Sequence, residues 1–285
     1  TTRSWRSSRA MKSHKFPITD DHIHIDPVNG RGLEAAKDFL RAGGTHLFLV
    51  TKPSSSFGVL PHTGDEFSLA YEKTIAIADQ IRALGITVFV ILGVHPAEMT
   101  RLSATTPLSE TVAIMKRGID IAASYIGEGR AVALKSGRPH YPVPDEVFSA
   151  SNEVLSHALT LAADLKCAVQ IHAETGPCSD VVGMAEQAGL PPHKVVKHYA
   201  TPDTPLTPSL LASHPDIPQL ARLRRPFTME TDYMDENTRP GAVIGPKSVP
   251  KITRKLINEG LISEDDAFRI HKETPERVYG VEIIL

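Results

Sequence analysis

Val88-Phe89-Val90-Ile91-Leu92 runs straight into Gly93-Val94-His95-Pro96, and the class of fold follows from these nine residues. Consecutive apolar residues without polar alternation describe a strand covered on both faces, the habit of parallel sheets flanked by helices. Leu47-Phe48-Leu49-Val50 repeats the pattern. Working outward, strands are expected at about 18–25, 45–51, 86–92, 131–136, 167–172, 194–198, 206–211 and 226–231. Helical periodicity occupies the gaps at Leu33–Leu40, Leu69–Leu84, Val112–Tyr125, Val154–Leu165 and Val181–Ala188. Gly43-Gly44, Gly85 and Gly189 stand just past these segments, where a left-handed cap is wanted. Eight strands alternating with helices in 285 residues fit an α/β fold, the (β/α)8 TIM barrel. The seventh unit, Leu206-Thr207-Pro208-Ser209-Leu210-Leu211, carries a proline and is the weak one, so a distorted barrel is expected. No low-complexity linker divides residues 16–285, which read as a single domain.

Composition narrows the function classes. At 41% hydrophobic the chain can bury one large core. A formal charge of -2 gives no global attraction to nucleic acid or anionic membranes. No apolar run is long enough to cross a bilayer, so no membrane partner is expected. Residues 1–15 carry Arg3, Arg6, Arg9, Lys12 and Lys15 with no acid and no signal-peptide core. They read as a basic arm or an upstream extension, with Met11 as an alternative start. Cys167 and Cys178 make neither a disulfide framework nor a CxxC pair, and a cytoplasmic location is the expectation.

The chemistry begins at Ile18-Thr19-Asp20-Asp21-His22-Ile23-His24-Ile25-Asp26. Side chains i and i+2 share one face of a strand, so His22 and His24 project together, as two imidazoles must to share an ion. Barrel active sites lie at the C-terminal strand ends. Metal-competent residues cluster there: Lys135 on the fourth strand, His172 on the fifth, His198 on the sixth and Asp232 after the eighth. His95 follows the third. Imidazole and carboxylate suit Zn²⁺ first, and also Mn²⁺, Co²⁺, Fe²⁺ or Mg²⁺. So many ligands exceed the usual mononuclear set and suit two metals about 3.5–4 Å apart.

In these residues the chain resembles the TatD-related metal-dependent hydrolases of the amidohydrolase superfamily. The resemblance runs from about Ile18 to the C-terminus. It is carried by Asp21-His22-Ile23-His24, Gly93-Val94-His95-Pro96, Ile171-His172-Ala173-Glu174, the histidine of Val196-Lys197-His198 and Glu230-Thr231-Asp232. Thr274-Pro275-Glu276-Arg277-Val278-Tyr279-Gly280 is similar to the family's C-terminal helix. It implies a distorted TIM barrel and a divalent-metal hydrolase, with ligand roles for His22, His24, His172, His198 and Asp232. Related enzymes include nucleases, so phosphodiester hydrolysis leads.

One departure stands out. The family places a glutamate at the end of the fourth strand, within Gly-Glu-x-Gly, where it bridges the metals. Here Ala131-Val132-Ala133-Leu134-Lys135-Ser136-Gly137 puts Lys135 in that place. Phosphotriesterase-like members use a strand-four lysine, carboxylated by CO2, for the same bridge. Glu128, in Ile126-Gly127-Glu128-Gly129, is the rival bridge in a shifted register.

Asp232 is the expected general base, and His95 resembles a family histidine over the substrate, which implies a catalytic role in stabilising negative charge. His95, Arg138 and His140 are the expected substrate contacts, with weaker candidates in Arg239 and Lys247. Glu230 reads as packing behind Asp232, and Glu174 as orienting a ligand histidine or facing solvent. His14, His46, His62, His157, His193, His214 and His271 read as ordinary polar residues. The Leu60–Phe67 and Asp235–Pro250 connections are expected in the pocket wall. Three functions stay open: a nuclease or phosphodiesterase acting at a nucleic-acid end, a phosphotriesterase-, lactonase- or amidase-like hydrolase of a small ester or amide, and a metal-keeping scaffold without turnover. Oligomeric state is not readable from the chain.

Overall fold

A computed structural model describes residues 16–238 and 243–285. The basic arm, Met11, His14 and Arg239 lie outside the described residues. The strands are β1 (Thr19–His24), β2 (His46–Val50), β3 (Thr87–Gly93), β4 (Ala133–Gly137), β5 (Ala168–His172), β6 (Val195–Lys197), β7 (Thr207–Leu211), β8 (Thr228–Glu230) and β9 (Tyr233–Met234). Every paired neighbour is parallel, in the order β8-β7-β6-β5-β4-β3-β2-β1-β9. β8 pairs with β7 and β9 pairs with β1, with only Thr231-Asp232 between them. They are two halves of one eighth strand. The Asp232 N–H donates to the His22 carbonyl at 3.0 Å and carries the ladder across the break. The sheet therefore curls into a distorted (β/α)8 barrel in one domain, as expected.

Helices separate the strands: α1 (Leu33–Arg41), α2 (Phe67–Arg82), α3 (Ala97–Leu102), α4 (Leu108–Gly127), α5 (Asp145–Leu165), α6 (Asp180–Gln187) and α7 (Ile217–Arg222). α8 (Ser248–Asn258), α9 (Glu264–Phe268) and α10 (Thr274–Tyr279) follow the last strand. The seventh unit is indeed thin. Pro208 has no N–H to give, and β6 meets β7 only at Val196↔Thr207 and Lys197↔Pro208.

Alternation decides what faces inward. Ile23, Leu47, Leu49, Leu134, Val169 and Ile171 pack outward against Phe39, Tyr71, Ile119 and Leu155 of the helices. Each such fully buried aliphatic side chain contributes about 1.5–3 kcal/mol. Their strand neighbours are thereby turned into the barrel. Phe48, Val50, Ile91, Ala133, Ala168 and Val196 fill the lower interior, with Tyr279 of α10 against Phe48 at 4.2 Å between ring centroids. Above that layer the inward positions are polar: His22, His24, Lys135, Gln170 and His172. The site is thus a continuation of the barrel core.

His271, expected to be ordinary and polar, is fully buried and ties the C-terminal helices to β1. Its Nδ1 lies 3.2 Å from the Thr19 N–H, its Nε2 lies 2.9 Å from Thr253 Oγ1, and Thr19 Oγ1 donates to its carbonyl at 2.6 Å. Burial pushes its imidazole down from 6.5 to about 4. Between those values the unfolded chain binds the extra proton. The contribution is therefore complete above pH 6.5 and is lost as pH falls through 4. A shift of this size is worth on the order of 3 kcal/mol. Urea midpoints of the wild type should drop over that interval more steeply than those of His271→Gln; parallel curves would remove the role. His46 is buried too, and is likewise pushed down to about 4 by its burial.

Among the described residues no helix is long and apolar enough to cross a membrane. Cys167 and Cys178 are both free and buried.

Candidate metal centre

The C-terminal strand ends open into a cavity of about 510 Å³. Its floor holds His22, His24, Lys135, His172, His198 and Asp232, and its rim includes His95 and His140. These expected site residues are thus brought together in one place. His22 Nε2 and His24 Nε2 stand 3.1 Å apart. Asp232 Oδ1 lies 3.7 Å from His22 Nε2 and 3.9 Å from His198 Nδ1. His172 Nδ1 meets His198 Nε2 at 2.7 Å, and its Nε2 meets His140 Nδ1 at 2.7 Å. His22 and His198 stack with centroids 4.0 Å apart, and His95 lies 4.6 Å from His172 by the same measure.

The hydrogen-bond network assigns the tautomers of the first pair. Gln170 Nε2 donates to the Asp21 carbonyl and to Tyr279 Oη, each at 2.7 Å. Both amide hydrogens are then engaged, so Gln170 Oε1, 2.7 Å from His22 Nδ1, accepts the proton of that nitrogen. His24 Nδ1–H likewise donates to the Val50 carbonyl at 2.8 Å. Both Nε2 atoms therefore carry lone pairs and face each other with no proton between them. Held this way, two imidazoles are set to receive a cation, with outer hydrogen bonds fixing each ring. Two donor groups converge within 4.8 Å: His22, His24 and Asp232, and His22, His198 and Glu230.

Electrostatics agree with that reading. Burial holds His22, His95, His172 and His198 well below the ordinary imidazole range and His24 at about 3, so all are neutral ligand forms. The Lys135 charge lowers His22, His24, His95 and His198 further. Burial raises Asp232 to about 6, against the pull of Lys135. It also pushes Lys135 itself down to about 7, against the pull of Asp232 and Glu230. Lys135 Nζ, His198 Nδ1 and Glu230 Oε2 are buried without a hydrogen-bond partner among the described residues. The orphaned His198 Nδ1 and Glu230 Oε2 fit a cation beside them, whereas the Lys135 amine calls for an anion or for carboxylation.

The strand ends need special backbone to bring these groups close. A Cβ on Gly137 would lie 1.9 Å from the His172 carbonyl oxygen, and one on Gly93 2.0 Å from that of Lys135. Glycine lets β3 and β4 deliver their neighbours to the cavity floor. Asp232 itself is left-handed at φ 46, a conformation that Asp tolerates and that projects its carboxylate from the break in the eighth strand. Asp20 holds that break, accepting from the Thr231 N–H at 3.0 Å and from Thr231 Oγ1 at 2.7 Å.

Other expected residues lie elsewhere. Arg138 is buried and is not part of the cavity lining; Glu174 and Asp180 take its guanidinium. Glu174 accordingly orients Arg138 rather than a histidine. Glu128 follows the last turn of α4, exposed and paired with Arg130 at 3.6 Å, away from the cavity. Lys247 pairs with Asp38 at 3.2 Å. Glu230 sits behind His198, 3.6 Å from its Nδ1, and accepts from the Tyr199 N–H at 2.7 Å. The wall uses Pro53, Ser55 and Ser56 in place of Leu60–Phe67, together with Glu236 and Val243 of the 235–250 connection. Sequence reasoning missed Gln170 and Arg101. Gln170 stands two residues before His172 on one strand face, a spacing that alternation could have flagged. Arg101, on α3, lines the cavity with its guanidinium against Ser55 Oγ and 3.4 Å from Glu98.

Comparison with known proteins gives the arrangement its family. The model of TatD related DNases matches residues 19–215. An uncharacterized protein of Methanocaldococcus jannaschii, MJ1127, is 37% identical over 282 residues, covering 95% of this chain and 98% of that one. The structure of YJJV, a TatD homologue from Escherichia coli, superposes with a TM-score of 0.62 at 15% identity, over 94% of this chain and 99% of that chain. An organophosphorus hydrolase from Deinococcus radiodurans superposes with a TM-score of 0.59 at 13% identity, over 94% of each chain. Those structural likenesses concern the fold, while the family match covers most of the barrel and the strands that bear His22, His24, His172 and His198. The chain belongs to the TatD-related DNase family and, with it, to the hydrolases.

Proposed function

We propose that this hydrolase cleaves phosphoester bonds in small or end-exposed substrates, with two divalent ions, Zn²⁺ first among them. The observation that carries the reading is the pair of unprotonated Nε2 atoms of His22 and His24 facing each other at 3.1 Å beside Asp232. His22, His24 and Asp232 would hold one ion, His172 and His198 the other, and Lys135 would lie between them. Bound divalent ions at such a site acidify water and polarise a phosphoryl oxygen. Asp232, whose Oδ1 lies 3.7 Å from His22 Nε2, is placed to accept the proton of the attacking water. His95 and His140 line the rim, where a hydrogen bond can meet charge developing on a phosphoryl oxygen. Arg101 offers that oxygen a guanidinium fork, in the role that Arg138 cannot fill. A cavity of about 510 Å³ accommodates a nucleotide-sized group but no duplex. The free thiols suit a cytoplasmic setting.

A second reading has its own support in Lys135, whose Nζ is buried with no partner. Its neutral amine could add to CO2, forming a C–N bond and releasing one proton to solvent. The resulting carbamate supplies the bridging anion that β4 otherwise lacks, and it favours neutral esters, lactones or amides as substrates.

Chelation should abolish turnover of bis(p-nitrophenyl) phosphate, with Zn²⁺ or Mn²⁺ restoring it. Parallel assays on a short single-stranded oligonucleotide and on a lactone separate the readings. Phosphodiester cleavage that weakens with salt supports the first. Faster, salt-insensitive lactone opening replaces it with the second, and full activity after chelation would remove both.

A further inference from the structure

We infer that the opposite end of the barrel carries a second binding site, built for a small oligophosphate anion such as a di- or triphosphate group. Four arginines, Arg224, Arg225, Arg269 and Arg277, line a cavity of about 210 Å³. They come from the turn before β8, from the single π turn at 269–273 and from α10. Phe227 forms part of the lining and immediately precedes β8. The cavity therefore belongs to the N-terminal strand ends, away from the metal centre, and no step of the hydrolysis uses it.

Three features argue for an anion. Among the described residues of the lining the only carboxylate is that of Glu273, against four guanidiniums. Arg269 is already held, 3.2 Å from the Ala221 carbonyl and paired with Asp266, but Arg224, Arg225 and Arg277 form no ion pair among the described residues. Uncompensated like charges repel each other, and an anion relieves that repulsion. The backdrop is apolar, made by Ala221, Phe227 and Ile270, all buried in the second core cluster. A low-dielectric wall beside these charges focuses their field into the cavity.

The backbone supports the choice of residue. Arg224 lies just past the end of α7 with φ 54, the left-handed conformation at which helices ordinarily use glycine. A non-glycine residue there carries a steric cost. A cation at a helix C-terminus recovers part of that cost. That accounts for one arginine and not for four.

Size selects the ligand. The cavity is smaller than the roughly 300 Å³ at which pockets for drug-sized ligands begin, so a charged head group fits and a whole nucleotide does not. Four arginines lining one small space match adjacent phosphates, since each guanidinium fork can take two oxygens.

The test is calorimetric titration of tripolyphosphate, and separately of ATP, into the full chain with a chelator present to silence the metal centre. Wild-type protein should bind tripolyphosphate, with affinity falling as salt rises. Arg224→Ala with Arg277→Ala should weaken binding at least tenfold and leave metal-loaded hydrolysis unchanged. Arg224→Lys with Arg277→Lys, which keeps charge and loses the fork, should fall between them. ATP binding as tightly as tripolyphosphate would name a nucleotide as the source of the phosphates; a strong preference for the inorganic anion would name free polyphosphate. Equal affinity in wild type and the alanine variant would overturn the site. Tighter, equally arginine-dependent binding of a short oligonucleotide would overturn the small-anion assignment in favour of a nucleic-acid backbone.

Discussion

Asp232→Asn should lower kcat by about three orders of magnitude with the fold intact. Positioned proton transfer is worth roughly 10²–10⁴ in rate, and the amide also removes a carboxylate oxygen that lies 3.7 Å from His22 Nε2 and 3.9 Å from His198 Nδ1. Asparagine keeps the shape of the side chain and, like Asp, tolerates the left-handed backbone at φ 46. Stability should therefore hold or rise, because burial already disfavours the Asp232 charge. Measuring kcat and metal content together tells the roles apart. A large loss in kcat with full metal loading identifies a base, and a matched loss of metal identifies a ligand. A loss of less than tenfold with full loading would exclude Asp232 from the chemistry.

Lys135→Met should move activity and stability in opposite directions. Lys135 is 1% exposed, and its Nζ has no hydrogen-bond partner among the described residues. An unsatisfied buried polar group costs about 1–3 kcal/mol, so methionine should raise the melting temperature of the metal-free protein. If Lys135 bridges two ions, the same change should reduce metal content from about two per chain toward one and lower turnover at least a hundredfold. Added bicarbonate should raise the metal content of the wild type and leave the variant unmoved. Retention of two metals and of full rate by Lys135→Met would show that β4 supplies no ligand.

The eight strands are legible because most are short, unbroken apolar runs, and burial on both faces leaves that mark in the chain. α8 escapes notice because it carries Pro250 in its first turn and basic residues along its exposed side. The two-residue β9 has no pattern of its own; it exists because Thr231 is clamped by Asp20. The metal-competent side chains announce themselves by type and by their place after strand-like runs. What surrounds them does not. Arg138 follows a strand as a substrate contact should, yet Glu174 and Asp180, from the next unit, close over it. Arg101 sits on α3, too short a helix to read from periodicity, and so the arginine that does line the cavity went unseen. His271 looks like any polar residue until two threonines from distant elements are known to face it.

The seam between β1 and the split eighth strand has a consequence for when the enzyme exists. Asp20 and Thr231 are joined across 211 positions of sequence. Contacts of such separation form late, after the loop-closure entropy of the whole chain has been overcome. Asp232 acquires its position only through that contact and through the backbone bond to His22. A nascent or partly opened molecule thus carries every imidazole of the centre and still has no Asp232 carboxylate aligned with them. With Asp232 as the base proposed above, hydrolytic competence becomes a property of the finished barrel alone, and an unfinished chain is harmless to whatever the mature one cleaves.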